Sequence, residues 1–296
     1  IKQPRRQQGR KMNDAKKRNL FPEDVGGLFV YLNVPSVSRR EWHPFSLCAA
    51  SPSNKGNRAD VIIRPHGPSS WTARVLSAGG DHSLKAFSSG TYGTSDLHLT
   101  ASTVVFIAGG VGITALEPLL KRVMSMGESA SIGGASPALR EVVLIWAVRK
   151  EEDLAWFAPD IESYREASGG ETDVLFESRL FVTSSLSPGT EAESRGGAAP
   201  AIGLAVKSVE LAEASNSVTL PVSKAGAGEG EAKAEGLQST PVAKMQAAHG
   251  RPDLATELGK VCSRCSLAET RVDVFVCGPS SMRVSVLEAA AAQPGP

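Results

Sequence analysis

The stretch Val104-Val-Phe-Ile-Ala-Gly-Gly-Val-Gly-Ile-Thr114 decides the fold of this chain. Its first five residues are apolar, which is typical of a strand buried on both faces of a parallel sheet. Glycines follow at once, and the apolar spacing over residues 113–126 predicts a helix. Gly110, Gly112 and Ala115 match G-x-G-x-x-G/A, a turn whose following helix offers free N–H groups to a pyrophosphate. Taken alone, the stretch leaves two interpretations open: a nucleotide site, or a strand–glycine–helix turn with no ligand.

Strand and helix patterns keep alternating downstream of this turn. Strands are predicted over residues 141–148, 173–183 and 271–276, with helices over residues 151–166 and from Ser280. Such alternation is typical of a doubly wound parallel sheet. The segment Val274-Phe-Val-Cys-Gly-Pro-Ser-Ser-Met282 repeats the strand–glycine–helix pattern. It places Cys277 at the carboxyl end of the sheet, where these folds bind ligands.

The residue that follows the second strand bears on the choice of cofactor. An acidic residue about 20 positions after the glycine turn is typical of NAD binding, and no clear one ends the next strand here. Arg149 stands there instead. The sequence therefore favours a 2′-phosphorylated dinucleotide.

The segment before residue 100 has a different pattern. Short strands are predicted over residues 27–33, 45–50, 59–64 and 84–88, with one helix over residues 69–78. Turn residues separate them, which favours a small antiparallel barrel. Within it, Arg64 can pair with a phosphate, and Thr72 near a helix start can donate to one.

Composition places these two units in a globular chain with two atypical segments. Hydrophobic residues make up 41% and charged residues 21% of the 296 residues, and the net charge of +1 excludes a nucleic-acid-binding protein as a whole. The head, residues 1–20, is rich in Lys and Arg and is predicted to be a flexible arm. Contact with anionic lipid headgroups and a solvated linker are both open for it. Residues 184–250 are rich in Ala, Gly, Ser, Glu and Lys and predict a disordered insertion.

Four cysteines in a chain of this length do not form a disulfide framework, so a reduced, intracellular setting is expected. Cys262 and Cys265 form a C-x-x-C pair without a second pair or a nearby His, and no metal site is predicted. We find no secretory signal and no apolar run that would span a bilayer. The chain begins with Ile1, and we expect it to be a fragment.

Five motifs, in this order along the chain, resemble those of one family. They are Glu41-Trp-His-Pro-Phe-Ser46, Ile63-Arg64 with Gly67 and Trp71-Thr72, Gly109-Gly-Val-Gly-Ile-Thr114, Trp146 with Arg149, and Cys277-Gly-Pro279. Together they resemble the flavin and nicotinamide dehydrogenase region of the NADPH oxidase and ferric reductase family. His249-Gly-Arg-Pro252 is similar to a further stretch of that family. The resemblance covers about residues 25–183 and 249–290.

The resemblance implies a ferredoxin-reductase-like fold class: α+β, with an antiparallel β-barrel that binds FAD and a doubly wound parallel sheet that binds NADPH. The expected parts are a basic arm at 1–20, the FAD domain at 21–100, the NADPH domain at 101–183 and 251–296, and a low-complexity insertion at 184–250. It assigns the flavin side to His43, Pro44, Phe45, Ser46, Ile63, Arg64, Gly67, Trp71 and Thr72. It assigns the dinucleotide side to Gly109, Gly110, Gly112, Ile113, Thr114, Arg149, Arg179, Arg251, Cys277, Gly278 and Pro279. Cys277 and His43 are the expected residues at the reacting rings.

The implied function is electron transfer from NADPH to FAD and then to haem in an absent membrane portion, on the cytosolic face of a membrane protein. The leading hypothesis is reduction of dioxygen to superoxide. A ferric-chelate reductase would share every motif. A degenerate, non-catalytic binding module is the third hypothesis, because Thr91 and Ala115 replace prolines common in the family and no aromatic residue follows Phe275.

Overall fold

The computed structural model describes residues 24–53, 56–79, 84–127, 138–168, 173–184, 204–205, 209–211, 217–220, 223–224, 245–265 and 271–293. The predicted basic arm at 1–20 lies outside these residues. The described residues form an antiparallel barrel and a parallel sheet with helices, which confirms the α+β architecture.

The barrel is built mainly from the first part of the chain. Its elements there are β1 (Leu28–Asn33), β2 (His43–Ser53), β3 (Gly56–Val61), α1 (Trp71–Gly79) and β4 (Leu84–Gly93). Leu28, Val30 and Leu32 alternate with half-buried residues along β1, so one face of the strand forms the barrel core. Ser70 caps α1 by accepting a hydrogen bond from the Ala73 N–H at 3.1 Å.

Two short strands from the predicted insertion complete the barrel. They are β9 (Val209–Leu211) and β10 (Ser217–Leu220), and the strand order is β1-β2-β3-β9-β10-β4. A second pair, β8 (Leu204–Ala205) with β11 (Ser223–Lys224), lies outside the barrel. These described residues differ from the expectation of a disordered insertion. β9 pairs with β3 and β10 pairs with β4, which covers strand edges that would otherwise present unpaired backbone groups.

The second unit is a five-stranded parallel sheet. Its elements are β5 (Thr103–Gly109), α2 (Ile113–Gly127), β6 (Glu141–Val148), α3 (Ala158–Ser168), β7 (Leu175–Val182), β12 (Ala247–His249), α4 (Leu254–Cys262), β13 (Asp273–Cys277) and α5 (Ser280–Ala291). The strand order is β12-β7-β6-β5-β13. Helices α2 and α3 pack on one face and α4 and α5 on the other, as expected of a doubly wound sheet.

The helix predicted over residues 151–166 is broken in two. A 3₁₀ helix covers Glu151–Trp156, and α3 starts only at Ala158. Phe157 lies between them with a non-helical φ of −128°. Pro159 then suits the first turn of the new helix, because its nitrogen carries no hydrogen to donate. The break places Asp153 and Trp156 beside the sheet's carboxyl edge.

The barrel and the sheet unit share a buried boundary. Cys48 of β2 packs in the same cluster as the α2 side chains, and Ile62 packs against that cluster. Arg122 on α2 donates to the Asp24 carboxylate at 2.7 Å and also to the Ser95 carbonyl. Among the described residues, no helix combines the length and the apolar character needed to span a bilayer.

Candidate cofactor site

The strand order creates a crevice at one position of the sheet. The chain runs from β5 outward through β6 and β7 to β12, then returns to place β13 on the other side of β5. Doubly wound folds bind ligands where the order reverses, outside the carboxyl ends of the strands. Here the loops at that point are Gly110–Gly112 after β5 and residues 278–279 after β13.

The glycines of these two loops let them pack against each other. A Cβ atom on Gly112 would lie 2.8 Å from the carbonyl carbon of Cys277 and closer still to its oxygen. A Cβ on Gly109 would lie 2.8 Å from Pro279 Cδ, and one on Gly278 would lie 2.8 Å from Met282 Sδ. Gly110 adopts a positive φ of 54°. Gly109 and Gly112 are therefore required by the packing of the neighbouring loop.

Side chains next to the turn fix its shape. Trp146 Nε1 donates to the Gly110 carbonyl at 3.0 Å, and Thr114 Oγ1 donates to the Val111 carbonyl at 2.9 Å. The Ile113 side chain is buried in the core. The Ile113 and Thr114 side chains thus stabilise the turn from the protein interior. Contact of these two residues with a ligand stays a prediction.

Of the three arginines predicted on the dinucleotide side, two lie at the carboxyl edge of the sheet. Arg149 follows β6 and Arg251 follows β12, and both are exposed. The strands between them are tied together at this edge, since the Gly250 N–H donates to the Val182 carbonyl at 2.9 Å. Arg149 therefore lies one strand away from the crevice between β5 and β13, and Arg251 lies after the outermost strand of the same edge.

Arg179 has different partners from those expected. Its guanidinium donates to the Glu177 carboxylate at 2.7 Å and to the Glu257 carboxylate at 2.8 Å. It also donates to the Glu257 backbone carbonyl at 3.0 Å, on the α4 face of the sheet. The Arg179 side chain is held in an ion-pair network in the middle of β7, so it does not extend to the phosphate end.

Cys277 ends β13 and is half-buried. Burial raises the pKa of its thiol, and the nearby Arg283 opposes that rise only in part. The side chain is therefore a neutral thiol at physiological pH. Its backbone forms the wall on which Gly112 rests.

The four residues predicted to lie beside the flavin divide between two faces of β2. His43 pairs with Leu32 of β1 and stacks on Trp71 with ring centroids 4.3 Å apart, and Phe45 packs against the barrel core. Pro44 and Ser46 alternate with them and therefore point outward. Cys48, on the same outward face as Ser46, contacts the α2 cluster.

The arrangement around His43 fits a polar cofactor. His43 Nε2 and Trp71 Nε1 are buried, and neither has a hydrogen-bond partner within the described residues. Unpaired buried polar atoms are costly, and a flavin carries ring nitrogens and carbonyl oxygens that can pair with them. Gly67, at φ 98°, has open space around it.

Two other residues of that motif have structural roles. The Ile63 side chain is fully buried in the barrel core, which leaves only its backbone for a ligand. Thr72 Oγ1 accepts from the His66 N–H at 3.3 Å and lies 3.0 Å from Ser70 Oγ. Thr72 therefore fixes the turn before α1.

Arg64 joins the two units. Its Nη2 lies 3.2 Å from Asp153 Oδ2, and its guanidinium carbon lies 5.9 Å from the centre of the Trp156 ring. Its Nη1 lies 3.5 Å from the position of a Cβ on Gly110. Asp153 and Trp156 carried no sequence signal, because both stand in a stretch that reads as an ordinary amphipathic helix.

A buried carboxyl group lies near the boundary between the two units. Glu117 of α2 accepts a hydrogen bond from the Tyr164 hydroxyl at 3.0 Å. Burial, aided by Asp160, raises the pKa of Glu117 to about 7, while Tyr164 and Lys121 act in the opposite direction. Burial also raises the pKa of the Cys48 thiol, with a smaller contribution from Glu117.

The C-x-x-C pair lies away from the crevice. Cys262 ends α4, and Cys265 Sγ lies 3.9 Å from Thr103 Oγ1 at the start of β5. That is the amino edge of the sheet, opposite the glycine loops. Within the described part of the chain, no three His, Cys, Asp or Glu side chains group as metal ligands would.

Comparison with known proteins gives consistent results. Residues 101–291 match the family model of the ferric reductase NAD binding domain. The probable cell surface ferric reductase kap2 of Aspergillus oryzae is 34% identical over 151 residues, which cover 47% of this chain and 19% of that protein. Ferric reduction oxidase 4 of Arabidopsis thaliana is 30% identical over 131 residues, covering 43% and 18%. Human NADPH oxidase 5 is 24% identical over 220 residues, covering 57% and 28%.

A solved structure shares the fold. The ferredoxin reductase of carbazole 1,9a-dioxygenase superposes with a TM-score of 0.51 at 13% identity, covering 92% of this chain and 57% of that one. The chain spans less than a third of the length of the three curated relatives above. Because the family model covers well over half of the residues, the chain belongs to the family that carries the ferric reductase NAD binding domain.

Proposed function

We propose that this chain is the dehydrogenase part of a membrane oxidoreductase, in which electrons pass from NADPH to FAD and on to haem in a membrane portion. The observation that carries the proposal is the meeting of the two units. The packed loops after β5 and β13 form the crevice, and Arg64 from the barrel lies against the first of them. A flavin on the barrel and a dinucleotide in the crevice would then lie side by side.

The dinucleotide side uses backbone and cations. The turn at Gly110–Gly112 would receive the pyrophosphate, and Arg149 with Arg251 would pair with the 2′-phosphate. Cys277, Gly278 and Pro279 would border the nicotinamide. A neutral, half-buried thiol at Cys277 would contact the nicotinamide without adding a charge.

The flavin side uses the barrel. His43 and Trp71 would offer the flavin the nitrogen atoms left unpaired in the barrel wall, whereas the side chains of Pro44 and Ser46 lie on the opposite face of β2 and would not contact the same ring. When both cofactors are bound, they would supply the hydride transfer and the onward transfer of electrons. The chain's own residues need supply no general base, so their task is to hold the two rings in contact and to exclude water.

The proposed terminal acceptor is dioxygen, reduced to superoxide. Ferric iron is the second candidate, favoured by the ferric reductase NAD binding domain matched over 101–291 and by the 34% identity to a ferric reductase. The full-length protein in membranes, assayed in parallel for superoxide formation and for ferric-chelate reduction, separates the two. Ferric reduction that disappears under argon would identify dioxygen as the acceptor, with superoxide carrying the electrons to iron, whereas ferric reduction that persists under argon would identify ferric iron.

Purified chain titrated with FAD tests the core of the proposal. We expect a yellow complex and NADPH-dependent reduction of an artificial dye that requires added FAD. Boiled protein with FAD is the control for dye reduction by free flavin. A chain that neither retains FAD nor reduces the dye would instead be a non-catalytic module.

A further inference from the structure

Arg64 is expected to serve the flavin, yet its guanidinium lies against the other unit. Arg64 follows β3 of the barrel, and its side chain extends to the sheet unit near the carboxyl end of β6. There the Asp153 carboxylate lies 3.2 Å from Nη2, and the Trp156 ring lies beside the guanidinium plane. The side chain is therefore held by residues of the dinucleotide-binding unit.

The two terminal nitrogens of Arg64 face different surroundings. Nη2 faces Asp153, whose side chain is only 10% exposed and whose Oδ2 makes no hydrogen bond within the described residues. Nη1 faces the glycine turn, 3.5 Å from the position of a Cβ on Gly110. A planar guanidinium held at one nitrogen has its other nitrogen aimed in a fixed direction. That direction here is the turn at the topological switch point.

The turn itself is held rigid from the opposite side. The Trp146 indole donates to the Gly110 carbonyl at 3.0 Å, and the loop after β13 packs against Gly109 and Gly112. The turn and the guanidinium are therefore both held in position before an anion binds. Preorganised donors of this kind bind phosphate oxygens with fixed geometry.

We propose that Arg64 is a ligand for the diphosphate of the pyridine dinucleotide, supplied by the barrel to the neighbouring unit, and that Asp153 and Trp156 are its positioning residues. This inference rests on the proposed function, since it requires a dinucleotide in the crevice. It adds a barrel residue to the dinucleotide site and gives a reason for a nearly buried aspartate near an anion site. Asp153 offsets one nitrogen of Arg64 and leaves the other to the ligand.

Two probe ligands separate the diphosphate from the rest of the dinucleotide. 2′-Phospho-ADP-ribose carries both the diphosphate and the 2′-phosphate, whereas 2′-AMP carries only the 2′-phosphate. Binding of each to the whole purified chain is measured by titration calorimetry, which needs no redox turnover. Asp153→Asn is the test variant, and Glu152→Gln, an exposed neighbour in the same turn, is the matched control.

We expect Asp153→Asn to weaken the binding of 2′-phospho-ADP-ribose about fivefold to tenfold, because the charge-assisted hydrogen bond from Arg64 to the diphosphate loses its geometry. The affinity for 2′-AMP should stay within about twofold. Glu152→Gln should leave both ligands unchanged. Arg64→Lys keeps the charge but cannot reach Asp153 and the turn together, and it carries the same expectation should Asp153→Asn not fold.

Three outcomes overturn the inference in distinguishable ways. Equal weakening of both probes means that Asp153 is merely structural. Unchanged binding of both probes, with weaker FAD retention, means that Arg64 serves the flavin alone. Failure of the unmutated chain to bind either probe refutes the proposed function itself, and with it the dinucleotide site.

Discussion

At the scale of single residues, Gly112 is the position where one added methyl group would do most damage. Its Cβ would lie within 2.8 Å of the Cys277 carbonyl carbon, and neither loop can move without disturbing the other. We expect Gly112→Ala to lower the free energy of unfolding by about 1–3 kcal/mol, as overpacking does, and to weaken dinucleotide binding. Urea unfolding followed by tryptophan fluorescence measures the first effect.

Gly259 in α4 is the control for that substitution. The nearest atom to its Cβ position is 3.9 Å away, so alanine fits there. We expect Gly259→Ala to be neutral or to raise stability by about 0.5–1 kcal/mol, because alanine suits a helix interior better. Equal effects at both positions would contradict the packing of the two loops.

Arg149 is the residue that we expect to determine the preference for NADPH over NADH. The 2′-phosphate is the group that distinguishes them, and Arg149 lies exposed at the carboxyl edge of the sheet, directly after β6. We expect Arg149→Ala to raise the KM for NADPH about tenfold and the KM for NADH less than about twofold. Steady-state dye reduction with each donor measures both, and equal losses would show that the arginine does not contact the 2′-phosphate.

At the scale of the elements, the buried Glu117 makes the packing of α2 depend on pH. The pKa is raised from its usual 4.5 to about 7, so between these values the folded chain binds a proton that the unfolded chain has released. Stability from this group therefore falls as pH rises through that interval and is level above it. This pKa shift changes the free energy of unfolding by up to about 3 kcal/mol across the interval.

Glu117→Gln keeps an oxygen that can accept the Tyr164 hydrogen bond and removes the titration. We expect the variant to gain stability over the unmutated chain at pH 8 and to lose that advantage at pH 4.5. Thermal unfolding midpoints across this range measure the difference. A constant difference between the two proteins at every pH would refute the titration of Glu117.

Elements with strong local signals were predictable, and those set by tertiary contacts were not. The apolar runs of β5 and β6 marked central strands, and the structure has them within a residue of the predicted bounds. Helix α4 was not predicted from the sequence. Asp253 caps it by accepting hydrogen bonds from the Ala255 and Thr256 N–H groups, but this capping residue closely follows a low-complexity segment and was not recognised. Strands β9 and β10 exist through pairing with β3 and β4, which no local pattern encodes.

At the scale of the whole molecule, the loops of two motifs that are distant in sequence meet. The glycine turn and the C-G-P segment are more than 160 residues apart in sequence and lie in contact at the crevice, because β5 and β13 are neighbours. The contacts that the sequence could not supply are those between the units. Asp153 and Trp156 acquire their roles only when the barrel residue Arg64 packs against the sheet unit.

The proposal that a flavin cleft and a dinucleotide cleft face each other concerns the whole molecule. Anaerobic rapid mixing of the FAD-loaded chain with one equivalent of NADPH tests it most directly. We expect the visible flavin absorption to bleach in a single protein-dependent phase, which Gly112→Ala slows and Gly259→Ala does not. A flavin that stays yellow in the unmutated chain, while both cofactors are shown to be bound, would contradict it.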